Sequence, residues 1–450
     1  MNANDQWEIR RIRRLYPIHK RNLGVFIIQV RERNKIITDI PEILNTILTL
    51  EDLIDIITDD DDDNDNDNDD INFLNNMLDL LYDLLQTNVT RLMDLSIVVD
   101  RGTDIIPPPI TQLNNMSDQA CTEMFRFSQE KLHELIGNLD PLLGRFNGLL
   151  KLPRVFRMNN GMTAPGDIGF LLYVSRQVKW DRFTDCEKIT GREYSSNSRI
   201  YGAVSQWLYD EWSWRIKDNR QFEEFWVPKF ELHNLRFRER YHRLFGTPPP
   251  ARYANVAFVY DATFYQICKP VDPVMEHLTY STYEKQNGVK VASATSFCGN
   301  TMKLDSVVGG RHNDNFLLNQ GGLNTSLQIA QIIEIIQYGG YVDKAYFDKS
   351  HIKASYNNRS WNMQEWMHVM NTNMKRACLA SVEWKFERIN NFFGAIKDKR
   401  RLKLLESPIE QYITNAFFLD NLLVMAQGCN ANQSFNLDSP SLEEYLTYHY

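Results

Sequence analysis

Three carboxylates in the second half of the 450-residue chain lie beside apolar runs, where burial of an ionised carboxylate is energetically unfavourable. Asp261 ends the apolar run VAFVYD, Asp343 ends the apolar run GGYVD, and Glu383 lies beside the apolar stripe of a predicted helix. An ionised carboxylate beside a buried strand is unfavourable unless it meets a cation. Three converging carboxylates with water positions left open suit Mg²⁺ or Mn²⁺ rather than zinc, and two such ions can hydrolyse a phosphodiester.

The helix that carries Glu383 is predicted from SVEWKFERINNFFGAIKDKRR, residues 381–401. Its apolar residues recur at steps of four, three, four and three, which predicts one helical stripe. They are Val382, Phe386, Ile389, Phe393 and Ile396. At ~100° per residue, Glu383 lies about 100° from the centre of the stripe and Glu387 about 140°. We therefore expect Glu383 on the shoulder of the helix and Glu387 in solvent, with a fourth metal-facing carboxylate at Glu387 as the alternative.

The elements that must position these acids follow residue 252. The segments NVAFVYDATFYQI, GVKVASATSF and TMKLDSVVGG predict three strands. LNTSLQIAQIIEIIQ predicts a helix, and GGYVDKAYF a fourth strand ahead of the Glu383 helix. This order is that of a ribonuclease-H-like α/β domain. If the first and fourth strands are neighbours and the helix packs across them, the three carboxylates converge.

The net charge of −8 comes from one segment. Residues 59–70, DDDDDNDNDNDD, contain nine Asp, and without them the chain would carry +1. Self-repulsion predicts a disordered linker, and a calcium-binding EF-hand loop is excluded because the run has no Gly. Six scattered Cys and nine scattered His exclude a disulfide framework and a structural zinc module, and fit a reducing compartment. With no secretory signal and no run of ~18 apolar residues, we expect a soluble intracellular protein.

The chain divides into segments that differ in composition and in predicted secondary structure. In order they are a basic N-terminal segment of unknown role (1–58), the acidic linker (59–70), an amphipathic helix with a Pro-rich connection (71–117), a helical region (118–250), the α/β domain (251–430) and a C-terminal tail (431–450). We thus expect an α/β RNase-H-like catalytic domain preceded by an all-α helix-turn-helix-like domain and a partly disordered acidic N-terminal region.

The helical region contains the helix-turn-helix-like part. Ser117 is predicted to cap its first helix. Three short periodic segments follow within residues 164–216, and Ser195 or Ser196 is predicted to cap the last of them. The apolar side of this last helix comprises Ile200, Val204, Trp207, Leu208 and Trp212. Three compact helices with a glycine before the last resemble a helix-turn-helix module, with plain helix packing as the alternative.

Residues 251–445 resemble the DDE endonuclease domain of PIF/Harbinger-type transposases and of their domesticated relatives. The matching pieces are YDAT, TYSTYEK, GGRHND, YVDKAY and SVEWKFERI, in the order that the family has. The resemblance implies that Asp261, Asp343 and Glu383 are the catalytic, metal-binding triad and hold two Mg²⁺ (or Mn²⁺) ions. It gives Asp314 and His312 supporting roles beside the ligands, although Asp314 as a helix N-cap is the alternative.

Basic and polar residues around these acids are predicted to contact DNA phosphates. Residues 385–403 contain seven basic and two acidic residues, which predicts a surface that contacts phosphates. The alternative is that this segment is only a charged, solvated helix end. The predicted DNA-binding residues are Arg199 and Gln206 in the third helix, Lys285 in TYSTYEK, and Arg388, Lys397, Lys399, Arg400 and Arg401 in the basic segment. The run KDKRRLK also fits a nuclear-import patch, so we expect the protein in the nucleus.

The expected function is that of a metal-dependent transposase. It would cleave phosphodiester bonds at transposon ends and join the freed 3′-OH to target DNA. Double-stranded DNA is the expected partner, the chain is expected to form a homo-oligomer, and the resemblance suggests a separate Myb-like DNA-binding protein. Two alternatives stay open, namely a domesticated, catalytically silent DNA-binding or scaffold protein and an α/β nuclease unconnected with transposition.

Overall fold

The computed structural model describes most of residues 113–448, together with residues 46, 77 and 81. Within 113–448 it leaves out residues 141–142, 159–160, 180–181, 184–185, 187–189, 321–322, 324–326, 328–336, 347–348, 350, 357–363 and 400–401. The chain divides into two compact units, Met1–Ile106 with Pro141–Gly144, and Pro107–Asp140 with Arg145–Tyr450. Apart from residue 46, the predicted N-terminal segment and acidic linker lie outside the described residues, as does nearly all of the helix after them.

The second unit contains a curled mixed sheet of seven strands. They are β5 (Val256–Gln266), β6 (Tyr280–Ser281), β7 (Gln286–Ser296), β8 (Thr301–Leu304), β9 (Val308–Gly309), β10 (Gly339–Val342) and β11 (Ile352–Ala354). Two small antiparallel pairs precede it, β1 (Leu139–Asp140) with β2 (Arg145–Phe146) and β3 (Val155–Arg157) with β4 (Thr163–Pro165). The long strand β5 runs antiparallel to β7 and parallel to β10, β7 is antiparallel to β8, and β10 is parallel to β11.

Helices of very different length surround this sheet. The α-helices are α1 (Asp118–Phe125), α2 (Gln129–Ile136), α3 (Gly166–Lys179), α4 (Tyr194–Trp212), α5 (Trp214–Lys217), α6 (Asn219–Gln221), α7 (Phe230–Phe245), α8 (Pro273–Thr279), α9 (Asp314–Gln320), α10 (Glu365–Met374), α11 (Ala380–Phe392), α12 (Ile409–Gln427), α13 (Asn430–Phe435) and α14 (Leu442–Thr447). Two π-helical segments (Phe222–Trp226 and Lys375–Leu379) and three 3₁₀ turns (Val227–Lys229, Ala251–Tyr253 and Gly394–Ile396) complete the set. In the described part of the chain, no helix combines the length and apolar character that a membrane crossing needs.

The predicted mixed α/β fold class is confirmed, and the four predicted strands form. The segment TMKLDSVVGG forms two short strands, β8 and β9, rather than one. The predicted helix LNTSLQIAQIIEIIQ lies mostly outside the described residues. Strand β11 was not predicted, since three residues are too few to show a period of two. All six cysteines are free thiols, in agreement with the absence of a disulfide framework.

The helix ends in the helical region were predicted less well. Ser117 caps α1 as expected, because its side chain accepts a hydrogen bond from the backbone N–H of Ala120 at 3.2 Å. The prediction that Ser195 or Ser196 caps α4 is wrong, since the helix begins at Tyr194 after the extended residue Glu193. Most of residues 181–190, the middle segment of the proposed helix-turn-helix, lies outside the described residues.

The helix that carries Glu383 is shorter than predicted. Helix α11 ends at Phe392, and Phe393 has φ −116° and ψ 85°, which no α-helix accommodates. Ile396 belongs to a separate 3₁₀ turn. Both residues are buried all the same. The predicted apolar stripe is therefore correct in its burial and wrong in its assignment to one continuous helix.

Helix α12 joins the helical region to the sheet. The Nδ2 of Asn415 donates to the carbonyl of Ser205 at 2.9 Å and to the hydroxyl of Tyr173 at 3.0 Å. Further along, the Oδ1 of Asn421 accepts from the backbone N–H of Thr301 at 2.6 Å, and its Nδ2 donates to the carbonyl of the same residue at 2.8 Å. One helix thus hydrogen-bonds to both parts of the second unit, and the domain boundary placed at residue 250 stays a prediction.

A buried ion cluster ties α11 to α12. The Nζ of Lys385 lies 2.9 Å from Oδ2 of Asp420, and Arg388 holds both oxygens of the same carboxylate at 2.7 Å. Burial lowers the pKa of Lys385 to about 8, against the attraction of Asp420. The carbonyl of Gly299 accepts from both cations at 3.1 and 3.3 Å, in a turn whose φ of +88° requires glycine. Arg388 was predicted to bind DNA, and this stays a prediction; in the structure its guanidinium is paired with Asp420 and its side chain is 14% exposed.

We expect Asp420→Asn to destabilise the protein strongly. Removing the one anion leaves two buried cations facing each other, and breaking a buried pair from one side typically costs about 3–5 kcal/mol. The free energy of unfolding, measured by urea titration followed by tryptophan fluorescence, should fall by this amount. Asp438→Asn, an exposed acid in the same C-terminal part, should change it by less than about 0.5 kcal/mol. Equal effects of the two variants would contradict the role of the cluster.

Candidate active site

Asp261 stands on β5, the strand at the junction of the antiparallel and parallel parts of the sheet. Its half-buried carboxylate accepts a hydrogen bond from the backbone N–H of Ala262 at 2.8 Å. Burial raises the pKa of Asp261 to about 7, against the effect of this hydrogen bond. The negative charges of Asp314, Asp343 and Glu383 raise it further. Three further acids therefore act on Asp261.

Asp343 follows the last residue of β10, the strand next to β5. The two strands are parallel, with Tyr341 paired to Val259. If this pairing is continued by two residues, Asp343 lies opposite Asp261. Because neighbouring strands lie about 4.8 Å apart, the two acids are then close to each other. The predicted adjacency of the first and fourth strands is confirmed.

Glu383 comes from the first turn of α11, which packs against β5 and β7. Its neighbours Val382 and Phe386 are buried, whereas 45% of the Glu383 side chain is exposed. The Nζ of Lys375 lies 3.1 Å from Oε1 of Glu383. Glu387, one turn further along, is exposed, which is the outward position that its helical angle predicts.

Asp314 is the first residue of α9 and lies 3.0 Å from Nζ of Lys290 on β7. The helix start is capped by the neighbouring residue, because Oδ1 of Asn313 accepts from the backbone N–H of Phe316 at 2.9 Å. The alternative in which Asp314 caps the helix is therefore wrong. The His312 ring stacks on Phe316 at 4.1 Å between centroids, so it supports the same helix start.

A layer of buried polar groups near these acids was not predicted. The hydroxyl of Tyr260 is hydrogen-bonded to Asp305, and burial raises the pKa of Asp305 to about 6. The ring of Tyr346 meets that of Tyr260 edge-on at 5.7 Å, and its buried hydroxyl has no hydrogen-bond partner among the described residues. Burial raises the pKa of Tyr346, and the charges of Asp261, Asp314, Asp305 and Asp343 add to this.

The sequence contained one signal for this layer, since Tyr346 belongs to the YVDKAY piece of the family resemblance. Lys375 and Lys290, which pair with two of the four acids, gave no signal. Their partners lie eight and twenty-four residues away, and only the folded chain brings them together.

The predicted DNA-binding residues lie in separate places. Arg199 and Gln206 are exposed on α4, and Gln206 donates to Oδ1 of Asp210 at 2.8 Å. Lys285 is exposed in the turn before β7, with φ +55°. Lys397 and Lys399 are exposed beyond α11, while Arg400 and Arg401 lie outside the described residues. Of the predicted basic surface, Lys385 and Arg388 are therefore taken up by the buried ion cluster, whereas Lys397 and Lys399 are exposed.

The donor chemistry of the four acids fits a divalent cation. Carboxylate oxygens without nitrogen or sulfur ligands suit Mg²⁺ or Mn²⁺. No ion pair joins Asp261 or Asp343 to a described residue, so the carboxylate oxygens of these two residues are available to a cation. Across the described residues, however, no three His, Cys, Asp or Glu side chains are gathered closely enough to hold a metal ion as they stand. Asp314 and Glu383 are instead held by the two lysines.

One protein-family model matches the part of the chain that contains these acids. Residues 260–421 match the family model described as DDE superfamily endonuclease, which covers about a third of the chain. No curated protein and no solved structure is significantly similar to the chain. The match indicates an endonuclease of the transposase type and hence nuclease activity, and DDE endonucleases generally use divalent metal ions. Asp261, Asp343 and Glu383 all lie within the matched residues.

We expect the Asp261 carboxyl to make the metal-free protein less stable as the pH rises. Its pKa of about 7 lies above the ordinary 3.8, so the folded chain holds this proton more tightly than the unfolded chain does. The stability that the proton provides is complete below about pH 4 and is lost as the pH rises to about 7. Asp261→Asn should therefore stabilise the metal-free protein at about pH 8, by roughly 1–3 kcal/mol, and leave it nearly unchanged at about pH 4.

Urea unfolding at both pH values, with a chelator present, measures this difference. Glu387→Gln is the control, because it also removes one acid but from an exposed position, and it should have little effect at either pH. A gain of equal size at both pH values for Asp261→Asn would show that its carboxyl is not the group responsible.

Proposed function

We propose that this protein is a divalent-metal-dependent DNA endonuclease of the PIF/Harbinger transposase type. It would cleave phosphodiester bonds at the ends of a mobile element and join the freed 3′-OH to target DNA. The observation that carries this proposal is geometric, because Asp261 and Asp343 lie level on neighbouring parallel strands and α11 brings Glu383 against the same strand β5. The charges of Asp314, Asp343 and Glu383 all act on Asp261. Such a concentration of negative charge at a half-buried carboxyl is unfavourable unless a cation or a proton relieves it.

An RNase-H-like architecture is part of the proposal. The strand order β8–β7–β5–β10–β11 supports it, with antiparallel pairing up to β5 and parallel pairing beyond it. The acids stand on or just after the two central strands, and α11 brings the third across β5. A helix-turn-helix role for the segment around α3 and α4 belongs to the same proposal.

Each acid has its own task in this reaction. Asp261 and Asp343 would hold the cation from neighbouring strands, and Glu383 would bind it from α11. A bound divalent ion supplies acidity to a water and stabilises the leaving oxygen of the phosphodiester. The proton that the raised pKa keeps on Asp261 near neutral pH must leave before a cation can bind, so we expect metal affinity to rise with pH up to about 7.

The proposed substrate is double-stranded DNA. Its phosphates would be contacted by exposed residues in the described part of the chain, namely Arg199, Gln206, Lys285, Lys397 and Lys399, and by Arg400 and Arg401 outside it. A homo-oligomer, a Myb-like DNA-binding partner and a nuclear location complete the proposal. These features rest on the family resemblance and on the basic segment after α11.

One observation favours a second candidate function. Lysines neutralise two of the four acids, and no ready-made metal-ligand group exists among the described residues. A domesticated DNA-binding protein that has lost cleavage would show the same arrangement. The two candidates differ in one measurable property, the cleavage of DNA with Mg²⁺.

We expect Asp261→Asn, Asp343→Asn and Glu383→Gln each to reduce Mg²⁺-dependent DNA cleavage to background while the fold is retained. The reason is that each removes a charged oxygen ligand and keeps the size of the side chain. The assay measures nicking of a supercoiled plasmid, with cleavage of a labelled mixed-sequence duplex alongside. Circular dichroism and salt-dependent DNA binding check that each variant is folded and binds.

Glu387→Gln is the matched control for Glu383→Gln and should stay within about threefold of the wild type, because Glu387 is exposed one turn away. If Asp343→Asn cleaves normally and Asp314→Asn does not, the second metal ligand is Asp314. If the wild type binds DNA and does not cleave it with Mg²⁺ or Mn²⁺, the silent alternative holds.

A further inference from the structure

Lys375 lies beside the proposed metal site. Its Nζ lies 3.1 Å from Oε1 of Glu383, and both side chains are largely exposed, at 62% and 45%. The charges of Asp343 and Asp261 act on the same ammonium, after the stronger hydrogen bond and charge of Glu383. Lys375 thus contacts Glu383 and is affected by the charges of the other two acids of the proposed triad.

The contact depends on a π-helical turn. Lys375 and Glu383 are eight residues apart, and in a regular α-helix they would point about 80° away from each other. The segment between α10 and α11, Lys375–Leu379, is π-helical, and a π-turn holds one extra residue. With that residue taken up, the two side chains differ by only about 20° and share one face. Single π-turns inside α-helices occur frequently at functional sites.

The second lysine of the site is held differently. Lys290 projects from β7, in the middle of the sheet, and pairs with Asp314 where both side chains are mostly covered. Lys375 has an exposed, flexible side chain with three donors, and an exposed ion pair of this kind contributes little to stability. Its ammonium can therefore change partner without disturbing the fold.

We propose that Lys375 is a positioning residue that exchanges partners during the reaction. It neutralises Glu383 while no divalent ion is present, and when an ion binds that carboxylate, the released ammonium binds a phosphate of the DNA. This inference rests on the proposed function, because it takes Glu383 as a metal ligand and DNA as the substrate. The exchange keeps the charge of the site balanced in both states.

Metal binding gives the first test. We expect Lys375→Met to bind Mn²⁺ at least threefold more tightly than the wild type, in calorimetric titrations of the full chain without DNA, because the competing ammonium is gone. Lys269→Met is the matched control, since Lys269 is 69% exposed and pairs with Glu276 at 2.8 Å, and it is not among the residues of the proposed site. The control should bind Mn²⁺ as the wild type does.

DNA binding gives the second test, with the opposite sign. Ca²⁺ replaces Mg²⁺ here so that binding is measured without cleavage, and the probe is a labelled mixed-sequence duplex. We expect Lys375→Met to bind it several-fold more weakly, and the slope of log affinity against log salt to become shallower by about 0.9, the loss of one phosphate contact. Lys375→Arg should restore the slope.

Glu383→Gln should free Lys375 without any metal. We expect this variant to bind the duplex several-fold more tightly than Glu387→Gln in the presence of a chelator, although both remove one negative charge from α11. Equal affinities of the two variants would contradict the exchange.

The outcomes separate this inference from the proposed function. If the wild type binds Mn²⁺ and Asp261→Asn does not, the metal site stands. Unchanged or weaker Mn²⁺ binding by Lys375→Met then overturns the exchange alone. If the wild type and Asp261→Asn bind Mn²⁺ equally weakly, the metal site itself is wrong and the exchange falls with it. A merely structural role for Lys375 predicts weaker binding of both ligands, which is also a contrary result.

Discussion

The parallel pairing of β5 with β10 is the contact on which the rest of the site depends. It places two apolar strands side by side and brings Asp261 and Asp343 level where the second strand ends. Both strands are almost completely buried up to these acids, so the carboxylates must lie where the core meets solvent. Helix α7 holds the start of β5, because Nδ2 of Asn234 donates to the carbonyls of Ala254 and Val256 at 2.8 Å. The chemistry at one end of the strand therefore rests on ordinary packing at the other.

The basic residues around the acids fall into two groups with different tasks. Lys385 and Arg388 belong to the core, where together they outnumber the single anion Asp420, and this imbalance is one reason why the pKa of Lys385 is low. Lys375 and Lys290 balance acids of the site itself. A count of charges along the segment after Glu383 cannot separate these groups, because both consist of the same residue types. Only the position of each side chain relative to α12 and the sheet decides its role.

The sequence predicts this fold best where the signal is local. The strands of the sheet are runs of apolar residues, and Asp261 and Asp343 were found because each ends such a run. The cap at Ser117 follows from a single side chain and its own backbone. The end of α11 at Phe392 and the start of α4 at Tyr194 follow neither from the apolar period nor from the preference for serine at a helix start. The partner of Arg388 lies 32 residues away on another helix, and no spacing rule reaches it.

The π-turn before α11 is a further feature without a sequence signal, and it has a physical cost. The exposed Lys375–Glu383 pair that it aligns offsets little of this cost, which fits a turn kept for the site rather than for stability. The layer of Tyr260, Asp305 and Tyr346 is a second arrangement beside the proposed site that is unfavourable for stability. Burying one carboxylate oxygen of Asp305 and the hydroxyl of Tyr346 without partners among the described residues is unfavourable. Other buried groups without partners lie elsewhere in the described core, such as the indole nitrogens of Trp212 and Trp226. The charge of Asp261 acts on Tyr346, however, so the unfavourable burial of this hydroxyl falls at the proposed site.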